Sequence, residues 1–181
     1  MTDAETAGSG PILAGPDADS FRHVLGHYPT GVAVITAQSP SGPVGLSMNS
    51  FTSLSLQPPL VLFCPAVSSS TWPLLRDAGQ LAINVLSAGQ EEVSRRFATP
   101  AADRFAGFDW SVGENGAPLL TDALGWLECR VQAEYPAGDH TVVIAEIQRV
   151  GVHDAIAEPL VFFRGGYYAG VSAAASDDST G

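Results

Sequence analysis

The sequence contains no lysine. All eight basic residues are arginines, and they face 19 Asp and Glu, so the formal net charge is −11. Nucleic acids and anionic membranes are bound by basic surfaces, so we expect neither class of partner. Any phosphate group that the chain binds must be held by arginine, by hydroxyl groups or by backbone N–H groups.

Cysteine and long apolar runs are also scarce. Cys64 and Cys129 lie far apart, each inside an apolar run and without a second thiol or a histidine at zinc-like spacing. We therefore expect buried free thiols and no metal site. No apolar run approaches the roughly 20 residues that cross a bilayer. Residues 1–19 lack the basic and apolar regions of a signal peptide, so we expect a cytoplasmic protein.

Catalytic motifs are missing as well. The sequence has no G-x-S-x-G of a hydrolase, and no G-x-G-x-x-G follows a predicted strand. What it has instead is a hydroxyl-rich segment, residues 45–64, which begins and ends as an apolar strand. Ser, Thr and Asn fill its middle without an acid, a base or a metal ligand. This composition predicts the binding of a polar or anionic group, and it favours a cofactor that supplies the chemistry itself.

The order of predicted elements indicates one mainly β domain over residues 17–171, between disordered ends at 1–16 and 172–181. Helices are expected to begin near Asp17, Thr71 and Ser87, and residues 99–118 to form a long loop. Alternation in the strand 127–135 predicts that Glu128 is exposed. Six or seven short-turned strands predict a largely antiparallel split β-barrel with peripheral helices; we place them at 32–37, 44–49, 60–64, 81–86, 127–135, 140–152 and 160–163.

The run G-L-S-M-N-S-F-T-S-L-S-L-Q-P-P-L-V at 45–61 resembles the flavin-binding signature of the short-chain NAD(P)H:flavin reductases. These proteins are the reductase components of two-component flavin monooxygenases. The similarity is collinear from about residue 21 to residue 168. It continues through Ser70-Thr71-Trp72-Pro73, Ala82-Ile83-Asn84-Val85-Leu86, Arg96-Phe97-Ala98, Asp103-Arg104-Phe105, Leu127-Glu128-Cys129, Gly138-Asp139-His140 and Pro159-Leu160-Val161-Phe162.

The resemblance implies a homodimeric, FMN-binding split β-barrel that oxidises NADH or NADPH. It would reduce FMN or FAD and supply the reduced flavin to a partner monooxygenase. Two alternatives remain open on the same barrel. One is a flavin carrier or sensor without turnover, and the other is a flavin-dependent oxidoreductase that acts on its own substrate.

The resemblance also implies where the cofactors lie. Ser53 and Ser55, with the hydroxyls at 68–71, would hold the ribityl chain and the phosphate, and the N-terminus of the helix beginning at 70–73 independently suits an anion. Arg104 and Arg96 are the candidate cations. The flavin contacts that it implies are Ser47, Met48, Asn49, Ser50, Phe51, Ser53, Ser55, Ser69, Ser70, Thr71, Asn84 and Arg104.

Three of the implied residues have an ordinary structural alternative. His140 and Tyr167 are expected, by similarity, to contact the nicotinamide nucleotide. His140 could instead flank a turn, and Tyr167 could instead pack against a partner subunit. Asn84 lies within an apolar strand, and backbone groups are equally good partners for its amide.

Overall fold

The chain is described by a computed structural model that covers residues 17–100, 103–153 and 158–170. The predicted disordered ends, 1–16 and 172–181, lie outside the described residues. Within these ranges, no helix combines the length and the apolar character needed to span a bilayer.

The described chain consists of short helices and of strands that are mostly short. The helices are α1 (Ala18–Leu25), α2 (Trp72–Ala78) and α3 (Glu91–Ala98), the last preceded by a 3-10 turn at Ala88–Gln90. The strands are β1 (Thr30–Gly31), β2 (Ala33–Ser39), β3 (Gly42–Met48), β4 (Thr52–Leu56), β5 (Pro59–Phe63), β6 (Gln80–Val85), β7 (Trp110–Val112), β8 (Pro118–Leu120), β9 (Gly125–Ala137), β10 (His140–Val152), β11 (Leu160–Phe163) and β12 (Gly166–Ala169).

Seven strands form one antiparallel sheet in the order β3-β2-β6-β9-β10-β5-β4. Its two edge strands, β3 and β4, are consecutive in the chain and are joined by residues 49–51. The short connection draws the two edges towards each other, so the sheet curls but does not close. This arrangement confirms the predicted split barrel, and the hydroxyl-rich segment lies across its opening.

The interior of the curled sheet is apolar because alternate residues of each strand point inward. Buried residues on this face include Ile35, Phe63, Leu81 and Val143, and Leu75 of α2 packs against them. Each fully buried side chain of this size contributes about 1.5–3 kcal/mol to folding. This interior fixes the curvature of the sheet.

A second apolar cluster lies on the outer face of β2, under α3 and the small sheet β1-β11-β12. It contains Val34, Phe97, Phe105 and Leu160, all buried. Strand β2 is therefore covered on both faces. Helix α3 and strand β12 are held beside β3 by this cluster, and that placement builds the candidate site.

Residues close in sequence satisfy the backbone groups at the ends of α1 and α2. The Asp17 carboxylate accepts from the N–H groups of Asp19 and Ser20 at 3.0 and 2.9 Å. The N-cap of α2 is Thr71, which makes no side-chain cap bond, and the Oγ of Ser69 accepts from the N–H of Trp72 at 3.1 Å instead. Gly79 ends α2 with a φ of +73°. These contacts satisfy N–H and C=O groups that a helix leaves without partners.

Two predictions in the region after α3 are wrong. Residues 99–118 are not one long loop, because strand β7 and the start of β8 form a hairpin there. Glu128 is not exposed but only 1% accessible. Its Oε1 accepts from the N–H of Asn115 at 2.9 Å, and its Oε2 lies 3.2 Å from Nε of Arg149. The hairpin turn covers Glu128, which is why strand alternation alone misplaces it.

Both cysteines are free thiols, as predicted. Cys129 is fully buried in the interior of the sheet, while Cys64 is half-buried at the end of β5. Burial raises the pKa of the Cys129 thiol to about 12 and raises the pKa of Cys64 as well. Both thiols are therefore protonated and unreactive near neutral pH.

Candidate functional site

Gly45 on the edge strand β3 is in direct contact with helix α3. A Cβ at this position would lie 2.5 Å from Cε1 of Phe97, a distance that real Cβ contacts do not reach. Glycine therefore lets the helix approach the strand closely. The close approach brings the residues that follow Gly45 on β3 next to the side chains of α3.

Arg104 connects three parts of the chain at the start of this segment. Its Nη1 donates to the carbonyl oxygen of Gly45 at 2.6 Å and to Oγ1 of Thr71 at 2.7 Å, and its Nε donates to the carbonyl of Thr99 at 3.0 Å. Desolvation lowers the pKa of the Arg104 guanidinium below its ordinary value. The guanidinium nevertheless stays charged at neutral pH.

A cavity of about 300 Å³ opens beside Arg104, and Gly45, Ser70 and Thr71 line it too. Among the residues that the structure describes, no carboxylate lies within 4.0 Å of this guanidinium. Because a partly buried cation without a counter-ion favours a bound anion, this cavity suits a phosphate group. Arg104, Ser70 and Thr71, which the resemblance assigns to the phosphate, thus line one cavity in this structure.

A second cavity, of about 210 Å³, lies farther along β3 between the strand, α3 and β12. Ser47 Oγ lies 2.9 Å from Ser94 Oγ, and Ser94 Oγ lies 2.8 Å from the hydroxyl of Tyr167. All three residues line the cavity, together with Met48 and Asn49. The structure therefore places a predicted flavin contact and a predicted nucleotide contact on the wall of one cavity.

The ring of Tyr167 is held from two sides. The Arg95 guanidinium lies 4.8 Å from the ring centroid, and the Phe162 ring lies 5.3 Å away at 65°. Both geometries are attractive for an aromatic ring. The position of the phenol is therefore set by packing as well as by its hydrogen bond.

Ser50 and Phe51 support the segment from inside. Ser50 Oγ accepts from the N–H of Cys64 at 3.0 Å and lies 3.3 Å from its carbonyl oxygen, which ties the connection between β3 and β4 to the end of β5. Phe51 packs on the core inside the sheet. Their side chains fix the shape of the opening in this structure.

Ser53 and Ser55 lie on the opposite edge strand, β4. Ser53 is exposed, and Ser55 Oγ accepts from the N–H of Gln57 at 3.2 Å in the turn that follows. Neither residue lines the two cavities described above. Ser70 and Thr71, with which these two hydroxyls were predicted to act, line the first cavity.

Two other predicted contacts are engaged elsewhere. Asn84 is fully buried, donates to the carbonyl of Val34 at 3.2 Å and accepts from the N–H of Leu120 at 2.8 Å. Its side-chain amide therefore binds backbone groups, which is the alternative given for it in the sequence analysis. Arg96 lies 3.7 Å from Glu92 and over the ring of Phe108. Of the two candidate cations, Arg104 is therefore the one placed at the anion cavity.

His140 lies at the first position of β10, where it forms a bridge with Ala66. Its Nδ1 is 2.7 Å from a carboxylate oxygen of Asp139. The hydrogen bond to His140 lowers the pKa of Asp139. His140 does not line the cavity that contains Tyr167, so the two predicted nucleotide contacts are separate in this chain.

Sequence reasoning missed Ser94 and Arg95. A usable signal exists for Ser94, since Gln90, Val93, Ser94 and Phe97 follow the spacing of one helix face and all are buried. A serine on the buried face of an amphipathic helix must find hydrogen-bond partners there. That requirement points to a polar contact between α3 and the strand below it.

Comparisons with known proteins identify the family of this chain. Residues 25–170 match the family model described as flavin reductase like domain. The chain is 44% identical over 156 residues to the FMN reductase (NADH) SmoA of Agrobacterium fabrum, which covers 86% of this chain and 88% of that protein. It is 41% identical over 152 residues to the flavin-dependent monooxygenase reductase subunit HsaB of Mycobacterium tuberculosis, covering 83% and 81%.

A solved structure shows the same fold. The NADH:FAD oxidoreductase SgcE6 of Streptomyces globisporus, in complex with NAD and FAD fragments, superposes with a TM-score of 0.82 at 36% identity. The alignment covers 94% of this chain and 100% of that one. The family suggested by the hydroxyl-rich segment is thus confirmed over most of the described chain. The chain belongs to the flavin reductase like domain family.

Proposed function

We propose that this chain is an NAD(P)H:flavin oxidoreductase that transfers a hydride from NADH or NADPH to FMN or FAD. The observation that carries the proposal is the opening of the barrel at β3. An arginine without a counter-ion in the described chain lies at one end of this edge, and a hydroxyl-lined cavity lies at the other. An elongated cofactor with a phosphate and a polar ring system fits that distribution of groups.

The phosphate end fits the residues present. Arg104 would pair with the phosphate, while Ser70 and Thr71 provide hydroxyl groups in the same cavity. Three N–H groups of Arg104 are used in bonds to the chain, and a guanidinium has five. The two hydrogens of Nη2 therefore remain for the anion.

The isoalloxazine ring of the flavin would be held by strand β3. Arg104 reaches the carbonyl of Gly45 from outside the sheet, so the backbone groups of Gly45 point away from β2. In an antiparallel pair, every second residue points the same way, so the N–H and C=O of Ser47 also face outward. These backbone groups and the Ser47 hydroxyl would bind the polar edge of the isoalloxazine.

The chain contributes position rather than acid–base chemistry. A bound flavin supplies the hydride-accepting ring. The cavity beside Tyr167 is about 210 Å³, below the roughly 300–1,000 Å³ of ordinary ligand pockets. Holding two rings in contact can remove about 7–11 kcal/mol of barrier, so positioning is the main contribution that we assign to the chain.

We further propose that the chain works in the cytoplasm beside a monooxygenase that consumes the reduced flavin. Several relatives support the monooxygenase partner, among them the reductase subunit HsaB and the stachydrine N-demethylase reductase subunit of Rhizobium meliloti, which is 40% identical over 164 residues. The NADH in the name of the 44% identical relative SmoA favours NADH as the donor. FMN and FAD remain the two acceptors to compare.

We also propose that two copies associate through α1. No residue of this helix is buried in the described chain, although Phe21 and Leu25 on it are exposed apolar side chains and Tyr28, just after its end, is exposed as well. Tyr28 is 72% exposed and Leu25 is 52% exposed. Exposed apolar patches mark interfaces, and a second copy offers the same side chains for an isologous contact.

The association is tested by sedimentation equilibrium of the full chain and of Leu25→Asp. The wild type should sediment as a dimer and the variant mainly as a monomer. His23→Asp is the matched control, because it adds the same charge on the other face of α1. A monomeric wild type, or an equal effect of both substitutions, contradicts the dimer through α1.

A steady-state assay tests the enzymatic proposal by crossing FMN and FAD with NADH and NADPH. Catalytic loss of flavin absorbance with at least one pair is expected. Flavin that stays bound through gel filtration without NADH oxidation would identify a carrier or sensor instead. Oxygen uptake that depends on an added organic substrate, without any partner protein, would identify a stand-alone oxidoreductase.

A further inference from the structure

Ser94 joins three elements through one hydroxyl group. It lies on α3 with a side chain that is 0% exposed, and its Oγ is within hydrogen-bond distance of Ser47 on β3 and Tyr167 on β12. Strands β3 and β12 belong to different sheets. The hydroxyl of Ser94 is therefore the polar link between the two walls of the cavity.

The number of hydrogens in this link limits what it can do. Each of the three hydroxyls carries one hydrogen and can accept through its lone pairs. Ser94 can donate to Ser47 or to Tyr167, but not to both, so the neighbour that does not receive must donate to Ser94. Two hydrogens are then used inside the link, and one end keeps its hydrogen for the cavity.

We propose that Ser94 is a positioning residue that makes donation into the cavity by Ser47 and by Tyr167 mutually exclusive. This inference rests on the proposed function, because it assigns the Ser47 end to the flavin and the Tyr167 end to the nicotinamide nucleotide. When Ser94 donates to Tyr167, the Tyr167 hydroxyl keeps its hydrogen for the cavity and Ser47 donates to Ser94. Reversal of all three hydroxyls moves the free donor to Ser47.

The two ends of the link therefore act as one unit in cofactor binding. A group that needs a donor at Ser47 imposes an acceptor at Tyr167, and the reverse holds as well. The link needs no movement of heavy atoms, only rotation of three O–H bonds. Coupling of this kind is a free energy between two positions, and it is measured by the failure of two substitutions to be additive.

The local packing lets this coupling be separated from folding. Helix α3 is held on β3 by Phe97 against Gly45, and the Tyr167 ring is held by Arg95 and Phe162. None of these contacts uses the Ser94 hydroxyl. Ser94→Ala removes the link, and Ser94→Cys removes it with little change in volume, because a thiol is a weak donor and acceptor.

The test is a double-mutant cycle with Ser47→Ala and Tyr167→Phe, made once with Ser94 present and once with Ser94→Ala. The first measurement is the Kd of the apoprotein for oxidised FMN, obtained by flavin fluorescence titration. The second is the change in KM and kcat for NADH. Thermal melting checks that each variant is folded. If Ser94→Ala does not fold, the cycle is repeated in the Ser94→Cys background.

With Ser94 present, Tyr167→Phe should change the Kd for FMN by about threefold or more, and the double variant should be non-additive by a similar factor. With Ser94→Ala or Ser94→Cys, Tyr167→Phe should leave the Kd for FMN unchanged, and the two substitutions should be additive. The KM for NADH should still rise with Tyr167→Phe in every background.

Additive effects with Ser94 present, or the same non-additivity after Ser94 is replaced, overturn the inference while leaving the proposed function intact. A folded wild type that neither binds nor reduces a flavin overturns the proposed function and this inference together. The Kd for oxidised flavin separates the two cases because it does not depend on turnover.

Discussion

Arg104 donates to the carbonyl oxygen of Gly45 at 2.6 Å, and this bond links the segment after α3 to the edge strand of the barrel. The same nitrogen donates to the Thr71 hydroxyl at the start of α2. The cation is thus fixed where the edge strand, α2 and the anion cavity meet. Its remaining N–H groups face a site that the described chain does not neutralise.

Replacement of Arg104 should weaken the binding of FMN much more than the binding of riboflavin, which lacks the phosphate. Hydrogen bonds to charged groups contribute about 1.5–3 kcal/mol, so Arg104→Ala should raise the Kd for FMN by about tenfold to a hundredfold. Arg104→Lys should recover part of the loss because it keeps the charge. Fluorescence titration with both flavins measures the effect.

Arg96→Ala is the matched control, because Arg96 pairs with Glu92 and lies away from the anion cavity. It should leave the ratio of the two Kd values unchanged. If Arg104→Ala weakens FMN and riboflavin equally, Arg104 acts only by holding β3 in place.

Gly45→Ala should disturb both stability and flavin binding. The added methyl group would lie 2.5 Å from Cε1 of Phe97, so strand and helix must separate. Overpacking of this kind costs about 1–3 kcal/mol in the free energy of unfolding. The same separation breaks the alignment of Ser47 with Ser94, so the Kd for FMN should also rise.

Urea unfolding compares Gly45→Ala with Gly89→Ala, a glycine beside the start of α3 where an added Cβ meets no atom within 4 Å. The control should be neutral or slightly stabilising. Equal stability of the two variants would show that α3 is free to move away from β3.

His140→Ala should raise the KM for NADH and leave the Kd for FMN nearly unchanged. His140 lies outside the cavity of Tyr167 and pairs with Asp139 at an exposed turn, so its loss removes no flavin contact. Asp139→Asn keeps His140 but replaces the carboxylate that binds it with a neutral amide. It should therefore raise the KM for NADH by a smaller factor. A loss of flavin affinity equal to the loss of NADH use would remove His140 from the nucleotide site.

The buried thiol of Cys129 should make the free energy of unfolding fall at alkaline pH. Its pKa is raised from 9.0 in the unfolded chain to about 12 in the fold, so its contribution is complete below 9.0 and is lost as the pH rises through about 12. Between these values the free energy of unfolding should fall by about 1.4 kcal/mol per pH unit because of this thiol. Cys129→Ala should remove that slope in urea unfolding, and Cys64→Ala should retain it. Parallel curves for Cys129→Ala and the wild type would contradict the assignment.

The sequence predicts the barrel well because its main signals are local. β-branched runs and alternation place β2, β9 and β10, and β10 begins and ends at the predicted residues. Asp17 caps α1, and Ser69 accepts from the first N–H of α2, both through contacts within three residues. The family follows from the collinear motifs, and its match confirms it.

The misplaced Glu128 and the missed Ser94 share a physical cause, which is the burial of polar groups by distant parts of the chain. Glu128 is covered by a turn that begins 15 residues earlier in the chain, near Gly113. Alternation within one strand carries no information on such covers. Ser94 was missed for the same reason, since its partners come from two other elements.

The central claim is tested most directly by an anaerobic titration of a small amount of protein in a large excess of FMN, with NADH as the reductant. The account predicts that flavin absorbance is lost in proportion to the NADH added, far beyond one flavin per chain, at a rate proportional to the protein. Loss that stops at one flavin per chain, or a rate no faster than without protein, would contradict it.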